Sequence, residues 1–457
     1  MFKPKRSTLL PPTIPSANGK ISIQNFVSLL PQEIVGIIFS HLPFDELLRH
    51  CPEVSKTWHN FIMNWGPLWK EPHYLTNPPP HYFRYMLSAN LRCLSVFRVG
   101  GYLNEEKMVK LLQMLVDKKC ENIRKLELYY CRFPSSVFLR TLGYIGNQMT
   151  HLRLDECEID LETMSQVIQY TQNTLIELSI LNGESSNSWT QPWILPSTFP
   201  SKLKLRSISL TMPRLHRPIA ATIYGLLIAA CPDLRHIYLF HRDNDASGLF
   251  RILRAHCPLL ESICVDATLF MDEVNPFYDN PQMQKETTRG RLREFAIKCL
   301  KETPDEYIEA ALDNQQETLR ILRLEELPEP CRIPSFVSQH AWPQLREVSL
   351  KDSPEFEEDH LCAFFEKAPL LEVINLSRVG RTTDRVLEVM SKLKHLEGVD
   401  VSHTSVTGVG VRMLLEQCRT LIWLGVNGCY SIEPDVIRYA QDLLGQCQVY
   451  DSDYDLY

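Results

Sequence analysis

The sequence predicts an α/β protein, in which short N-terminal helices precede a curved solenoid with a parallel sheet on its concave face. Two observations predict this fold. An apolar pattern recurs thirteen times after about residue 90, and a separate group of apolar helical segments occupies residues 27–75. One strand and one helix cannot bury their apolar faces alone, so stacked copies are needed to build a continuous core.

The repeat has the form L-x-x-L-x-L-x-x-C, as in Ile123 to Cys131, IRKLELYYC. Its alternating L-x-L centre predicts a strand, because successive side chains of a strand point to opposite faces. An amphipathic helix follows, so the strands run parallel, and the wider helices place the sheet on the concave side. The copies begin 25 to 32 residues apart, at Leu91, Ile123, Met149, Leu175, Leu205, Leu234, Leu260, Leu292, Leu319, Leu345, Leu371, Leu396 and Leu421.

Composition divides the chain into five parts. Residues 1–26 are rich in Pro, Ser and Lys, which predicts a disordered tail. We assign residues 27–75 to a helical domain, 76–90 to a Pro-rich linker, 91–447 to the solenoid and 448–457 to an acidic, Tyr-containing tail. Long insertions follow Leu181 and Val265, and loops of this length are either functional or disordered. The last ten residues either fold back over the concave face or hang free.

Composition also excludes several classes of protein. A net charge of −7 argues against a general nucleic-acid binder, although it leaves room for a local basic patch. The 14 cysteines include no CxxC pair, so we expect no metal site. There is no signal peptide and no run of about 18 apolar residues, which predicts a cytoplasmic or nuclear protein without a membrane span. The nucleotide-binding, metalloprotease and hydrolase motifs are absent, so we expect neither a cofactor nor catalytic residues.

The helical domain exposes more apolar surface than about forty residues can bury. Pro31 suits the first turn of a helix, and Pro52 is expected to end the second helix. A third helix carries Val54, Trp58 and Trp65 at helical spacing. A domain of this size rarely has a sufficient core by itself, and surplus apolar surface implies a partner.

This segment resembles the F-box. The matching elements, in order, are Leu30-Pro31, Glu33-Ile34, Ile38-Phe39-Ser40, Leu42-Pro43, Leu47-Leu48, Val54, Lys56-x-Trp58 and Leu68-Trp69-Lys70. Five residues separate Leu48 from Val54 where the family usually has four, and Ser55 stands where Cys is common. The resemblance implies docking on the adaptor subunit of an SCF-type ubiquitin ligase and, through it, on a cullin scaffold. The contacts it implies are Leu30, Pro31, Ile34, Phe39, Glu46, Leu47, Arg49 and Trp58.

The repeats resemble the cysteine-containing class of leucine-rich repeat, as helix ends such as AACPDLRHIYL and EQCRTLIWL indicate. The resemblance implies that the cysteines are small buried packing residues. Positions 3, 5, 7 and 8 of each copy are expected to face the concave side, where they carry eleven acidic and seven basic residues. This mixture does not show the basic cluster of a receptor that reads phosphate.

Exposed aromatic side chains predict where a protein substrate binds, because such residues dominate binding hot spots. The candidates are Tyr129 and Tyr130 in one copy and His236, Tyr238, Phe240 and His241 in another, with Arg378, near Arg381 and Arg385, as the basic candidate. Taken singly, each is equally consistent with an ordinary residue of a sheet surface.

An adaptor-binding module joined to a repeat surface predicts the substrate-recognition subunit of an SCF-type ligase, in which other subunits transfer ubiquitin. The alternative is a binding scaffold or inhibitor whose N-terminal helices only cap the solenoid. It predicts a stable fold without residues 1–75, and Pro78, Pro79 and Pro80 speak against such a cap. A third hypothesis, an enzyme, requires a cluster of perturbed ionisable groups on the concave face.

Overall fold

A computed structural model describes the chain over residues 26–71, 85–101, 103–157, 159–181, 202–211, 225–242, 247–268, 292–298, 303–328 and 330–444. The prolines of the predicted linker, most of both long insertions and the C-terminal tail lie outside the described residues. Among the described residues, none of the helices combines the length and the apolar character that crossing a membrane requires.

Four helices and one 3₁₀ turn form the N-terminal domain: α1 Phe26–Leu29, α2 Gln32–Ser40, α3 Phe44–Val54, α4 Lys56–Asn64 and the 3₁₀ turn Gly66–Trp69. Phe26 therefore belongs to α1 and not to the predicted tail. Its ring lies 5.0 Å from that of Trp58, edge to face. Gly36 of α2 lets Trp65 approach closely, since a Cβ at this position would lie 2.4 Å from the indole nitrogen.

Pro52 does not end the second helix, contrary to the prediction. It lies inside α3, which continues to Val54. A proline so close to the end of a helix removes one donor without breaking the preceding turns. Ser55 then takes an extended backbone conformation, and its Oγ accepts a hydrogen bond from the Trp58 N–H at 3.2 Å, which caps α4. The inserted residue is thus absorbed in α3, and the cap fixes the start of the helix that carries Trp58.

Thirteen strands and ten helices of the solenoid have defined bounds. The strands are β1 Val96–Gly100, β2 Lys125–Tyr129, β3 His151–Asp155, β4 Glu177–Leu181, β5 Ser207–Thr211, β6 His236–Arg242, β7 Ser262–Thr268, β8 Glu294–Lys298, β9 Ile321–Glu325, β10 Glu347–Ser349, β11 Val373–Asn375, β12 Gly398–Asp400 and β13 Trp423–Gly425. The helices are α5 Glu105–Asp117, α6 Ser135–Ile145, α7 Leu161–Thr171, α8 Ser247–His256, α9 Asp305–Leu312, α10 Ile333–Gln339, α11 Glu358–Glu366, α12 Asp384–Met390, α13 Gly408–Gln417 and α14 Pro434–Leu444. Residues 85–88 and 225–229 are also helical.

The strands form one parallel sheet in strict chain order, which confirms the predicted α/β solenoid. The leucines of the pattern face the helices. In β2, for example, Leu126 and Leu128 are fully buried while Lys125, Glu127 and Tyr129 alternate with them on the other face. We call that other face, which carries positions 3, 5 and 7 of every copy, the open face of the sheet.

The first copy begins three residues later than predicted. Strand β1 pairs with β2 so that Phe97 lies opposite Leu126 and Val99 opposite Leu128. Leu94, and not Leu91, therefore occupies the first position of the repeat. Both leucines are buried, and apolar content alone did not distinguish them.

The N-terminal domain caps the sheet. The carbonyl of Lys70 accepts hydrogen bonds from the N–H groups of Ser95 and Val96, at 2.8 and 3.2 Å. The carbonyl of Ser95 makes the same pair of hydrogen bonds with the next copy, since it accepts from the N–H groups of Arg124 and Lys125. Lys70 thus supplies the backbone acceptor that a preceding repeat would offer to β1.

One hydrophobic core runs from Val35 of α2 to Ala440 of α14. Met86 and Ala89, which composition assigned to the linker, are buried in it. The end of the predicted linker is thus part of the core that the N-terminal domain shares with the first copy. Proline content was therefore a poor argument against a cap.

Candidate functional site

The surplus apolar residues of the N-terminal domain lie on one side of α2. Ile34, Ile37 and Ile38 share one helix face by their spacing and are 44, 55 and 40 % exposed. Val35 and Phe39 lie on the opposite face and are buried. Leu29 of α1, Leu30 and Leu42 on either side of α2, and Val54 at the end of α3 are further exposed apolar residues of the same domain. We call these seven exposed residues the apolar helix surface.

Two predicted adaptor contacts are core residues instead. Phe39 and Leu47 are each 1 % exposed, so neither side chain is accessible to a partner in this conformation. The Phe39 ring packs among those of Phe26, Trp58 and Phe61, with centroids 5.1 to 5.8 Å apart. These three rings surround Phe39 in the core of the domain, and this explains why the aromatic anchor faces inward.

The other predicted contacts lie at or near the surface. Leu30, Pro31 and Ile34 are exposed at the start of α2, and Glu46 and Arg49 are exposed on α3. Trp58 is half-buried against Phe26 and Phe39. Sequence reasoning missed Ile37 as a contact, although its spacing of three residues from Ile34 was sufficient to place it on the same face.

The first aromatic candidate on the open face belongs to an ordered polar cluster. The Tyr129 hydroxyl donates to Glu127 at 2.9 Å, and Arg98 binds the same carboxylate through two hydrogen bonds of 2.7 and 3.0 Å. Burial and the bond to Glu127 raise the pKa of Tyr129 to about 12. The guanidinium of Arg153 lies over the Tyr129 ring, 5.2 Å from its centre, and contacts Asp155 at 3.3 Å. The cluster holds the Tyr129 ring in a fixed orientation on β1–β3.

Tyr130 has an unusual backbone conformation. It is 47 % exposed and has a φ of +54°, in the left-handed region. The equivalent position is left-handed in other copies as well, at Gly101, Glu156, Glu326, Asp352, Arg378, His403 and Gly428. The Tyr130 N–H continues the ladder beyond the strand by donating to the Asp155 carbonyl at 2.8 Å. Apart from the two glycines, each such position therefore presents its side chain just after the carboxyl end of a strand.

The predicted substrate contacts do not form one patch. His236 and Tyr238 are half-buried in β6, four strands from Tyr129, which corresponds to about 19 Å at the usual strand spacing. Phe240 and His241 belong to β6, but their side chains lie outside the described ones. Arg378, at the end of β11, lies 3.9 Å from Asp352.

The three candidate arginines are also separate. Arg381 pairs with Glu357 at 3.9 Å, and Arg385 of α12 pairs with Glu358 at 2.9 Å and with Asp359 at 2.7 Å. These pairs join neighbouring turns on the helix side of the solenoid, whereas Arg378 follows a strand. No basic cluster forms from the three, and within the described ranges no group of three His, Cys, Asp or Glu residues is placed to hold a metal ion.

The fold and its surfaces define a class: an α/β repeat solenoid capped by a small helical domain that leaves apolar side chains uncovered. Residues 27–74 match the model of the F-box-like family, so the capping domain is an F-box-like domain. No curated protein matches the sequence.

Many solved structures resemble the chain, and two of them illustrate the likeness. One comes from the crystal structure of the Rad7 and Elc1 complex in yeast, with a TM-score of 0.50 and 14 % identity, over 89 % of this chain and 90 % of that one. The other is an internalin from Listeria monocytogenes, with a TM-score of 0.39 and 12 % identity, over 67 % of this chain and 81 % of that one. The first resemblance supports the fold.

Proposed function

We propose that the chain is the substrate-recognition subunit of an SCF-type ubiquitin ligase. The F-box-like domain binds the adaptor subunit, and through it a cullin scaffold, while the solenoid binds the protein to be ubiquitinated. The chain itself supplies proximity, because tethering raises the effective concentration of the substrate at the ligase. Other subunits carry out the transfer, so the chain needs no catalytic residue or cofactor of its own, and we place it in the cytoplasm or nucleus.

The observation that carries the proposal is the apolar helix surface within the segment that matches the F-box-like family. Monomeric soluble proteins rarely leave such side chains uncovered together, and a contiguous apolar surface marks an interaction site. Polar residues of the same domain are also exposed, namely Glu46 and Arg49 of α3. An apolar centre with a polar rim is the usual anatomy of a protein interface. The solved complex of Rad7 with Elc1 offers a precedent for this fold binding a second protein.

Co-purification with the adaptor tests the first half of the proposal. Ile34→Asp combined with Ile38→Asp places two charges in the centre of the apolar helix surface, where desolvating them is costly. We expect adaptor binding to fall by roughly a hundred-fold or more, since each buried, unpaired charge costs several kcal/mol. If the double variant binds the adaptor as the unmodified chain does, the docking surface is misplaced.

A matched control separates this effect from general exposure of apolar groups. Val409 of α13 is 74 % exposed and lies on the solenoid, far along the chain from α2. Val409→Asp makes the same change in chemistry and should leave adaptor binding intact. The melting temperatures of all variants should agree within a few degrees, because every substituted side chain is at least 40 % exposed.

The second candidate function, a scaffold that acts without an adaptor, has one observation in its favour: the F-box-like domain does cap the solenoid through Lys70. Capping and adaptor binding are compatible, however, because the cap uses Lys70 and buried residues such as Trp69, whereas Ile34, Ile37 and Ile38 stay exposed. The same point argues against a stable solenoid without residues 1–75, since their removal would uncover the first copy. Point variants are therefore better tests than deletions.

A further inference from the structure

A row of arginines runs along the edge of the sheet at which the strands begin. The residue at position 2 of each copy precedes its strand. That residue is arginine before β2, at Arg124, and at five of the six positions from β5 to β10. We call those five residues the arginine row: Arg206, Arg235, Arg293, Arg320 and Arg346. They span more than a hundred residues of sequence, and stacking of the copies brings them into one line.

Backbone hydrogen bonds fix the register of this line. The N–H of Arg235 donates to the carbonyl of Arg206 at 2.8 Å, and the N–H of Arg320 donates to the carbonyl of Arg293 at 2.7 Å. The N–H of Arg346 donates to the carbonyl of Arg320 at 2.8 Å. Glu261, which precedes β7, lies between Arg235 and Arg293 in the same ladder. The side chains at these positions consequently leave the sheet edge side by side, one strand spacing apart.

Most of the charge of the row is not neutralised. Arg235 pairs with Glu261, and Arg346 pairs with Glu372 of the next copy. Arg206, Arg293 and Arg320 are exposed, and in the part of the chain that the structure describes they form no ion pair. The carboxylates nearest on the open face, Glu294 and Glu347, are directed to Arg323 instead, at 3.6 and 2.6 Å.

Like charges at this spacing favour an anionic partner. Arg293, Arg320 and Arg346 occupy consecutive strands, about 4.8 Å apart, and like charges directly opposite each other on neighbouring strands are destabilising. An acidic ligand would replace this repulsion with charge-assisted hydrogen bonds, and the planar guanidinium matches a carboxylate with two parallel bonds.

We propose that the arginine row binds an extended, acidic polypeptide segment of a partner protein, which lies across the beginnings of strands β5–β10. Six strands span about 24 Å, the length of about seven residues in extended conformation. This inference rests on the proposed function in one respect, because it identifies the partner with the substrate. It adds that the substrate presents an acidic segment. It places the contact at the edge of the sheet and not on the aromatic residues of the open face.

An acidic polypeptide fits this edge better than a nucleic acid does. The row ends at Glu372 and Glu397, which hold the next two positions of the same ladder, so the basic strip is short. Glu294 and Glu347 lie beside it on the open face. The whole chain carries a net charge of −7, whereas nucleic-acid binders use broad basic surfaces. A single extended strand of carboxylates can follow the row without crossing these acidic groups.

Fluorescence anisotropy with the full chain and a labelled peptide of about eight residues, alternating Glu and Ser, tests the proposal. We expect Arg293→Gln combined with Arg320→Gln to weaken binding by roughly ten-fold or more, since each lost charge-assisted hydrogen bond contributes about 1.5–3 kcal/mol. The matched control is Arg140→Gln combined with Arg438→Gln, which removes the same net charge from two exposed helical positions. It should bind the peptide as the unmodified chain does.

Three results would overturn the proposal. The first is no measurable binding of the acidic peptide at low salt, about 0.05 M. The second is an equal loss of peptide affinity in the two double variants, which would mean that net charge alone, and not the arginine row, determines binding. The third is tighter binding of a single-stranded oligonucleotide of similar length that also depends on Arg293 and Arg320, which would make nucleic acid the occupant. Because no adaptor is present in this assay, and the Ile34→Asp/Ile38→Asp variant should bind the peptide normally, its outcome is independent of adaptor docking.

Discussion

Replacing Phe39 should unfold the F-box-like domain locally, even though the residue lies in α2, the helix that carries Ile34, Ile37 and Ile38 of the apolar helix surface. Its side chain is 1 % exposed and packs against three aromatic rings. Truncating a buried phenylalanine costs about 3–5 kcal/mol, and aromatic pairs contribute about 0.5–1.5 kcal/mol each beyond burial. Three such pairs place Phe39→Ala in the upper part of that range, at about 4 kcal/mol or more.

Hydrogen exchange of the amides of α2–α4 measures this loss where it occurs. A decrease of about 4 kcal/mol in the local free energy of unfolding corresponds to a roughly thousand-fold faster exchange. Ile37→Ala on the same helix is the control. Its side chain is 55 % exposed, so we expect a change of less than about 0.5 kcal/mol and at most a few-fold change in rate.

Adaptor binding should fall in both variants, but for different reasons. Ile37→Ala should weaken binding while the domain stays folded, whereas Phe39→Ala should weaken it through unfolding. Phe39→Leu keeps an apolar side chain in the core but loses the three aromatic pairs, so it should cost less than Phe39→Ala but at least about 1.5 kcal/mol. Equal exchange rates in Phe39→Ala and Ile37→Ala would refute the assignment of Phe39 to the core.

Two further predictions concern the solenoid. Burial raises the pKa of the Cys257 thiol from 9.0 to about 12. The folded state therefore holds this proton more tightly than the unfolded state, and the stabilisation is complete below pH 9 and lost between pH 9 and about 12. Urea midpoints at several pH values should fall over that range, and less steeply in Cys257→Ala. Tyr130→Gly should leave the melting temperature unchanged or raise it slightly. Glycine removes the strain of the left-handed conformation, about 1–2 kcal/mol for other residues, but it loses more conformational entropy on folding, which costs about 0.5–1 kcal/mol. Tyr129→Gly, within β2, should lower the melting temperature, and the opposite order would contradict the strain at Tyr130.

Periodicity predicted the fold of the solenoid because each repeat is specified locally. The pattern at Ile123, Leu126 and Leu128 states which side chains face the helices, and the same pattern in neighbouring copies sets the register of the parallel sheet. The prediction was wrong at the first copy, where the pattern is weakest. Leu91 and Leu94 both suit the first position of the repeat, and only the pairing of β1 with β2 assigns that position to Leu94.

The helical domain was predicted less well for a physical reason. A short helix with apolar residues around most of its circumference does not specify which face turns inward. Ile34 and Phe39 are equally apolar in the sequence, yet contacts with α1 and α4 bury Phe39 and leave Ile34 exposed. Burial depends on partners that are distant in sequence, and a linear pattern does not contain them.

The sequence by itself determined the repeat solenoid, because local apolar spacing defines each copy, and the ordered residues from Leu30 to Lys70 indicated the F-box-like domain that precedes it. Tertiary structure alone decided how the two parts join and which charges meet. Lys70 caps β1 through its backbone, which no side-chain pattern records. Arg206, Arg293 and Arg320 form one row only because stacking brings the position before each strand to the same edge.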